Sequence, residues 1–341
     1  MKVLNYEMKD LNEPVLGPVF SKCILREGFP FTRDINPANV YDSILIKPAD
    51  AECFSPRLPS FGYTIDEYVS FINKYELEKA VIVSDDISFL EKCPSLKYLI
   101  IIPSDSAGKD FDYSPLNKMT NLVYLDCHTE YGWNFEKTTT VDYSQQDGLI
   151  SLDARGSGHL NINAIKTLKS LSVSYNKEEN LHNLIDSKHL DTLKIVNCSI
   201  KNLSGIERSE RLQCLELSYN RRLEDISGLT SVASTLKYLD IQNCGKIKDF
   251  SVIESLENLE VLFLYGSNSL PDLNFLMKTK KLRVFGFDIN VSNGDLTPCL
   301  NLERACCARS RKHYNLNDKD LPKGDVSERI GFDGIEEWRQ F

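Results

Sequence analysis

The sequence predicts an α/β solenoid, in which short repeats stack on one another and each repeat adds one β-strand to a parallel sheet. Three observations lead to this prediction. The pattern L-x-x-L-x-L, with Ile, Val or Phe as substitutes, recurs along the chain; its later copies are evenly spaced; and apolar residues three positions apart follow each copy. Because each repeat buries its core only against its neighbours, the 341 residues need not be divided into ordinary domains.

The strand half of each repeat begins at a leucine, and a degenerate copy, LEKAVI, begins at Leu77. The regular copies begin at Leu96, Leu122, Leu149, Leu168, Leu190, Leu212, Leu236, Leu259 and Leu282. From Leu168 onward the spacings are 22, 22, 24, 23 and 23 residues, whereas the earlier spacings of 19, 26 and 27 predict irregular or inserted loops. Side chains alternate along a strand, so we expect the leucines to face the interior.

The ninth position of each copy favours a small polar residue. These residues are Ser157, Asn176, Cys198, Asn220, Cys244, Ser267 and Asn290. A short polar side chain at this position can pair with backbone groups that would otherwise be buried without a partner. The full pattern, LxxLxLxxN/C over residues 77 to 302, resembles the leucine-rich-repeat superfamily. The resemblance implies a right-handed solenoid of about nine or ten repeats with a curved parallel sheet on its concave side.

The second half of each repeat predicts a short 3₁₀ helix, since its apolar residues are three apart. Asn202, Asp225, Asp249 and Asp272 precede the middle apolar residue, and these residue types cap helices by accepting a backbone N–H bond. The repeat length of about 22 residues resembles the internalin type and a protein phosphatase 1 regulatory subunit. That resemblance implies a convex side made of 3₁₀ turns.

Both ends of the solenoid need a cap with a polar outer surface. We predict an amino-terminal α/β cap over residues 1–76, with a strand near Ile44 and a helix that opens with Thr64 and Glu67 spaced as a capping box. Residues 303–341 predict a carboxyl-terminal cap. Its apolar residues are Tyr314, Leu321, Phe332, Ile335, Trp338 and Phe341, and Trp338 is either buried in the cap or part of an aromatic interaction site.

The net charge of −9 argues against general binding to nucleic acids and favours a basic or neutral protein partner. The amino end, MKVLNYEMKDLNEP, contains no apolar run of signal-peptide length, and no later run approaches a membrane span of about 20 residues. We therefore expect a cytoplasmic monomer that does not bind membranes. The ten cysteines show no CxxC pairs and are interpreted as reduced thiols rather than disulfides.

We expect the binding surface on the concave face, where strand residues between the leucines are presented. The candidate partner-binding residues are Asp126, Asp153, Lys194, Glu216, Tyr238, Asp240, Phe263 and Tyr265. Adjacent rungs should place Asp126 beside Asp153 and Glu216 beside Asp240, a repulsion that a cationic partner would relieve. Two alternatives stay open: Lys194 and Arg155 could neutralise a solvated face, or a cap could cover the aromatic group.

Catalytic chemistry has little support in the sequence. The five histidines show no metal-ligand spacing and are interpreted as surface or loop residues, and Arg155-Gly156-Ser157-Gly158 lacks the frame of a phosphate loop and is interpreted as a loose turn. We predict no catalytic residue, metal or cofactor. The sequence thus predicts a non-enzymatic protein-binding scaffold, of which an inhibitor or immunity-type protein is one concrete form. The alternatives are a fragment of a secreted internalin-like adhesin and, less favoured, an enzyme that uses the amino-terminal unit.

Overall fold

The computed structural model describes residues 43–51, 62–108, 110–132 and 136–324, and the backbones of three further strands before residue 33. The chain forms two compact units, Met1–Ile165 and Lys166–Phe341, which are described in turn. Four residues of the predicted carboxyl-terminal cap, Phe332, Ile335, Trp338 and Phe341, lie outside the described residues.

The amino-terminal unit contains a ladder of parallel strands. Its strands are β1 (Val3–Leu4), β2 (Cys23–Arg26), β3 (Phe29–Thr32), β4 (Ser43–Ile46), β5 (Lys79–Ser84), β6 (Tyr98–Pro103), β7 (Tyr124–His128), β8 (Glu130–Tyr131), β9 (Lys137–Thr138), β10 (Val141–Asp142), β11 (Ser151–Arg155) and β12 (His159–Leu160). Strands β4, β5, β6, β7 and β11 pair in parallel in that order, and β1 to β4 pair antiparallel. Short 3₁₀ helices span Ser88–Lys92, Ser114–Lys118 and Ile162–Ala164.

One α-helix, α1 (Ile65–Tyr75), packs against this ladder. Thr64 is its N-cap, and the reciprocal bonds between Thr64 and Glu67 form the predicted capping box. The helix buries Tyr68 and Phe71 on one face and ends at Glu76, which adopts a left-handed φ of 48°. The predicted strand near Ile44 is also present as β4. Because β4 pairs in parallel with β5, the ladder begins before residue 77, and the cap boundary at 76 stays a prediction.

The carboxyl-terminal unit repeats the strand and 3₁₀ turn regularly. Its strands are β13 (Ser170–Ser174), β14 (Thr192–Val196), β15 (Cys214–Ser218), β16 (Tyr238–Gln242), β17 (Val261–Tyr265), β18 (Ser269–Leu270), β19 (Val284–Phe287), β20 (Asn290–Val291) and β21 (Arg304–Cys307). The 3₁₀ helices span Ile206–Arg208, Ser227–Val232, Ser251–Ser255, Asn274–Met277, Thr297–Asn301 and Asp318–Asp320. Parallel pairing aligns Leu193, Leu215, Leu239 and Leu262 in one fully buried column. Strand β21 continues the ladder past residue 302.

The turns that lead into the 3₁₀ helices are held by the predicted Asn and Asp residues. The N–H groups of Ser227, Ser251 and Asn274 each donate to the Oδ1 atom of the aspartate two residues earlier, at 2.8 Å. Asn202 accepts the corresponding bond from Ser204 at 3.0 Å. The prediction that these residues accept backbone N–H bonds, and that 3₁₀ turns occupy this side of the repeat, is confirmed.

Four successive ninth-position residues, Asn176, Cys198, Asn220 and Cys244, form a buried polar column. Asn220 accepts a hydrogen bond from the Cys198 N–H and donates to the Ile195 carbonyl, both at 2.9 Å. At the rung after Cys244 the prediction was wrong by one residue, because Ser267 is exposed and Asn268 is buried instead. The preceding glycine, Gly266, has a φ of 136°, and this altered backbone places the polar position one residue later.

The described cysteines are free thiols. Cys93, Cys127, Cys198, Cys214, Cys244, Cys299 and Cys307 are buried, and Cys306 is half-buried. Burial raises the thiol pKa of Cys198 and Cys244 to about 11. At Cys306 burial also raises the pKa, although Arg304 and Lys323 act in the opposite direction. No helix within the described ranges is both long and apolar enough to span a bilayer.

Candidate protein-binding surface

The candidate surface is the face of each sheet that points away from the leucine interior, here called the open face. In the carboxyl-terminal unit, the central positions of successive strands are Ser172, Lys194, Glu216, Asp240, Phe263 and Gly286, aligned by the parallel register. Strand alternation therefore places these residues in one column, as the sequence predicted.

The charged part of this column combines anions with a cation. Lys194 Nζ lies 3.2 Å from Glu216 Oε2 in the next rung, and Glu216 is in register with Asp240. Asp240 is only 7% exposed, and its Oδ2 atom accepts a hydrogen bond from Gln242 Nε2 at 2.8 Å. The predicted neighbouring carboxylates are present, and Lys194 offsets part of their charge, as the alternative interpretation held.

The aromatic part of the open face consists of one buried ring, Tyr238, and two half-buried rings, Phe263 and Tyr265. Tyr238 is 3% exposed and packs with Cys214, Val261 and Val284. The Phe263 ring makes an edge-on contact with Tyr238 at 5.9 Å between centroids. Tyr238 is therefore part of the packing beneath Phe263 and offers a partner almost no surface.

Phe263 and Tyr265 form the accessible part of this aromatic group. Their rings stack with centroids 6.0 Å apart and planes inclined by 20°. Both rings extend over Gly286, since a Cβ atom at that position would lie 2.6 Å from Phe263 Cδ1 and 2.6 Å from the Tyr265 hydroxyl oxygen. Burial raises the pKa of Tyr265 to about 12, with further contributions from Cys306 and Asp240. Gly286 thus provides the space that the two rings occupy, a role that sequence reasoning missed.

Asp126 and Asp153 lie in the amino-terminal unit, whereas the other six candidate residues lie in the carboxyl-terminal unit. The two aspartates are in register on adjacent strands, as predicted. His128 Nε2 lies 3.4 Å from Asp126 Oδ1, and the histidine is buried. The interpretation of His128 as a surface or loop residue was wrong, because it is buried at the end of strand β7.

The interior of the amino-terminal unit holds a second buried histidine. His159 Nδ1 shares a hydrogen bond of 2.8 Å with the Tyr143 hydroxyl, and the two rings stack with a 5° inclination. Burial lowers the pKa of His159 to about 4, so the ring is neutral at pH 7. The interpretation of His159 as a surface or loop residue was also wrong, because it is buried in strand β12. The preceding glycines are tightly packed rather than in a loose turn, since a Cβ at Gly158 would overlap the Thr139 carbonyl.

Comparison with known proteins gives sequence relatives that match only part of the chain. No family model matches the chain. The acidic leucine-rich nuclear phosphoprotein 32 family member A of Drosophila melanogaster is 32% identical over 117 residues, which cover 30% of this chain and 41% of that protein. Its counterpart in Drosophila pseudoobscura pseudoobscura matches with the same identity and coverage. The matched segment thus spans less than half the length of these curated relatives.

Solved structures give a broader match. An internalin, InlF, from Listeria monocytogenes superposes with a TM-score of 0.51 at 20% identity and covers 69% of this chain and 73% of its own. The functional domain of InlJ from the same bacterium has a TM-score of 0.40 at 18% identity, covering 67% and 57%. The InlF likeness concerns the fold alone. With the leucine pattern, the parallel register and the 3₁₀ turns, it identifies the chain as a leucine-rich-repeat solenoid with internalin-like repeats.

Proposed function

We propose that the chain is a non-enzymatic scaffold that binds a partner protein on the open face of its carboxyl-terminal unit. The observation that carries the proposal is the placement of Phe263 and Tyr265 over Gly286, beside the carboxylates of Glu216 and Asp240. Aromatic rings that are partly exposed and firmly supported are typical anchors of protein interfaces. Tyr238 supplies that support from below.

The partner in this proposal is a basic protein. Its cations would meet Glu216 at the open face, and the net charge of −9 would speed the encounter at low ionic strength. An inhibitor or immunity-type role is the most specific form of the proposal. The free thiols of the described residues suit a reducing compartment such as the cytoplasm.

Gly286→Ala tests this proposal, because the added methyl group would displace both rings while the leucine interior stays unchanged. We expect binding to weaken by about a hundredfold, in line with the loss of an interface anchor. The displaced atoms lie at the ends of side chains, so the free energy of unfolding should fall by less than about 1.5 kcal/mol. Affinity capture from lysate of the source cells, at low and high salt, measures the difference.

Two further variants complete the experiment. Phe263→Ala removes one ring directly and should abolish the same interactions, whereas Gly108→Ala is the matched control, since a Cβ there meets only the Asp110 nitrogen at 4.0 Å. The expected partner is basic, is captured by the wild type and the control, and is released by salt. Retention of every captured protein by both Gly286→Ala and Phe263→Ala would refute the proposed surface.

A further inference from the structure

The residue directly after each of four successive strands, β13 to β16, adopts a left-handed backbone conformation. In four successive rungs these residues, here called the rim, are Tyr175, Asn197, Tyr219 and Asn243, with φ of 61°, 52°, 58° and 54°. The N–H group of each donates to the carbonyl of the strand-end residue in the next rung, at 2.8 to 3.0 Å. The rim residues therefore form one row along the edge of the open face.

Tyrosine is an unusual choice for this conformation. Left-handed φ values are tolerated by Asn and Gly, and a bulky side chain there is strained. The two tyrosines do not gain full burial in return, since Tyr175 is 41% exposed and Tyr219 is 48% exposed. Strained residues that remain exposed are concentrated at functional sites. The conformation and exposure of the two rings together point to a role outside folding.

The rim alternates with a period of two rungs. The tyrosine rungs continue with an asparagine and a cation, as Tyr175-Asn176-Lys177 and Tyr219-Asn220-Arg221. The intervening rungs continue with a cysteine and a small residue, as Asn197-Cys198-Ser199 and Asn243-Cys244-Gly245. Each exposed ring is thus accompanied by a cation two residues later, and the two pairs lie two rungs apart.

The two cations are available for an external ligand. Lys177 and Arg221 are exposed, and neither forms an ion pair with any residue that the structure describes. Lys201, on the same flank, is paired with Glu179 at 2.7 Å. The Tyr175–Lys177 and Tyr219–Arg221 pairs therefore combine an aromatic surface with a positive charge that forms no ion pair within the described part of the chain.

We propose that these two pairs bind an extended acidic segment of a partner protein. Two rungs separate the pairs by about 10 Å, since parallel strands lie about 4.8 Å apart. Three residues of an extended polyproline chain span about 9 Å, so carboxylates at every third residue would reach Lys177 and Arg221 in turn. Prolines between them would lie against the tyrosine rings, as in other aromatic-lined peptide sites. This site does not depend on the proposed open-face function.

A peptide of repeated Glu-Pro-Pro units, labelled with fluorescein, is the probe, and its binding is followed by fluorescence anisotropy at low salt. We expect it to bind at least about tenfold more tightly than a Gln-Pro-Pro peptide, because charge-assisted bonds carry the recognition. Two double variants, Tyr175→Asn with Tyr219→Asn and Lys177→Ser with Arg221→Ser, should each weaken binding by about tenfold or more. Asn197→Gly with Asn243→Gly is the matched control and should bind as the wild type does.

Stability separates a binding role from a structural one. Asparagine occupies the same position in the alternate rungs, so the double tyrosine variant should keep or raise the melting temperature. A marked fall in its melting temperature would assign the tyrosines to folding and overturn the proposal. Equal binding of the Glu and Gln peptides would also overturn it. So would equally tight binding of single-stranded oligothymidylate through the same four residues, since that would make nucleic acid the ligand.

Discussion

Replacing Asn220 with alanine should lower the free energy of unfolding of the carboxyl-terminal unit by about 2 to 6 kcal/mol. The substitution leaves the Cys198 N–H and the Ile195 carbonyl without their hydrogen-bond partner. Asn220 is fully buried, so water cannot replace the lost bonds, and each unpaired buried group costs about 1 to 3 kcal/mol. Denaturant unfolding followed by circular dichroism measures the change.

An exposed asparagine provides the control for this variant. Asn258 Nδ2 donates to the Ser234 carbonyl at the surface, where water can take its place, so Asn258→Ala should change the stability by less than about 1 kcal/mol. Hydrogen exchange of the Cys198 amide should accelerate in the Asn220 variant and not in the control. A similar fall in the free energy of unfolding in both variants would show that the buried hydrogen bonds of Asn220 contribute no more to stability than an exposed one.

Acidification from pH 7 to pH 4 should destabilise the amino-terminal unit through His159. Its folded-state pKa of about 4 lies below the ordinary value of 6.5, so the unfolded chain takes up the proton first. The stabilisation is therefore complete above pH 6.5 and is lost as the pH falls toward 4. The difference corresponds to about 3 kcal/mol, since one pKa unit is worth about 1.4 kcal/mol. Burial is the main cause, and neighbouring His128 acts in the same direction.

A comparison of unfolding free energies at pH 7 and pH 4.5 measures this effect. His159→Gln cannot take up a proton at this position, so the variant should be less stable than the wild type at pH 7 but should lose less stability on acidification. His182→Gln, at an exposed position, should follow the wild type. An unchanged pH dependence in His159→Gln would assign the acid sensitivity to other groups.

The repeat architecture was predictable because it follows from periodic patterns. The leucine spacing predicted the positions of the strands, and the Asn and Asp residues of the second half-repeat predicted the positions of the 3₁₀ turns. Strand alternation also placed Asp240 and Tyr238 correctly on the open face, but it could not show that both are buried. Their burial depends on which neighbouring side chains lie over them, above all Phe263 against Tyr238. The alternation along a strand predicts which face a side chain points to, whereas the exposure of that side chain depends on how neighbouring rungs pack.

The remaining errors arose where the backbone departs from the regular repeat. Gly266 changed the turn, so Asn268 rather than Ser267 reached the buried column. His159 follows two glycines in an irregular rung, and its neighbour Tyr143 comes from an inserted loop that the leucine pattern does not cover. The sequence placed Gly286 in the central column of the open face. Its importance depends on the rings of Phe263 and Tyr265, which extend over it from strand β17.

The two-rung alternation of the rim restricts how chains of this kind can change in length during evolution. Tyr175 and Tyr219 are 44 residues apart, and Asn197 and Asn243 are 46 residues apart. Deleting one rung between the tyrosines would bring the two rings side by side, and adding one would separate them by three rungs. An insertion or deletion that keeps the distance between the two tyrosine–cation pairs must therefore lie outside the segment that joins the pairs. An insertion that also continues the alternation must add two rungs at a time.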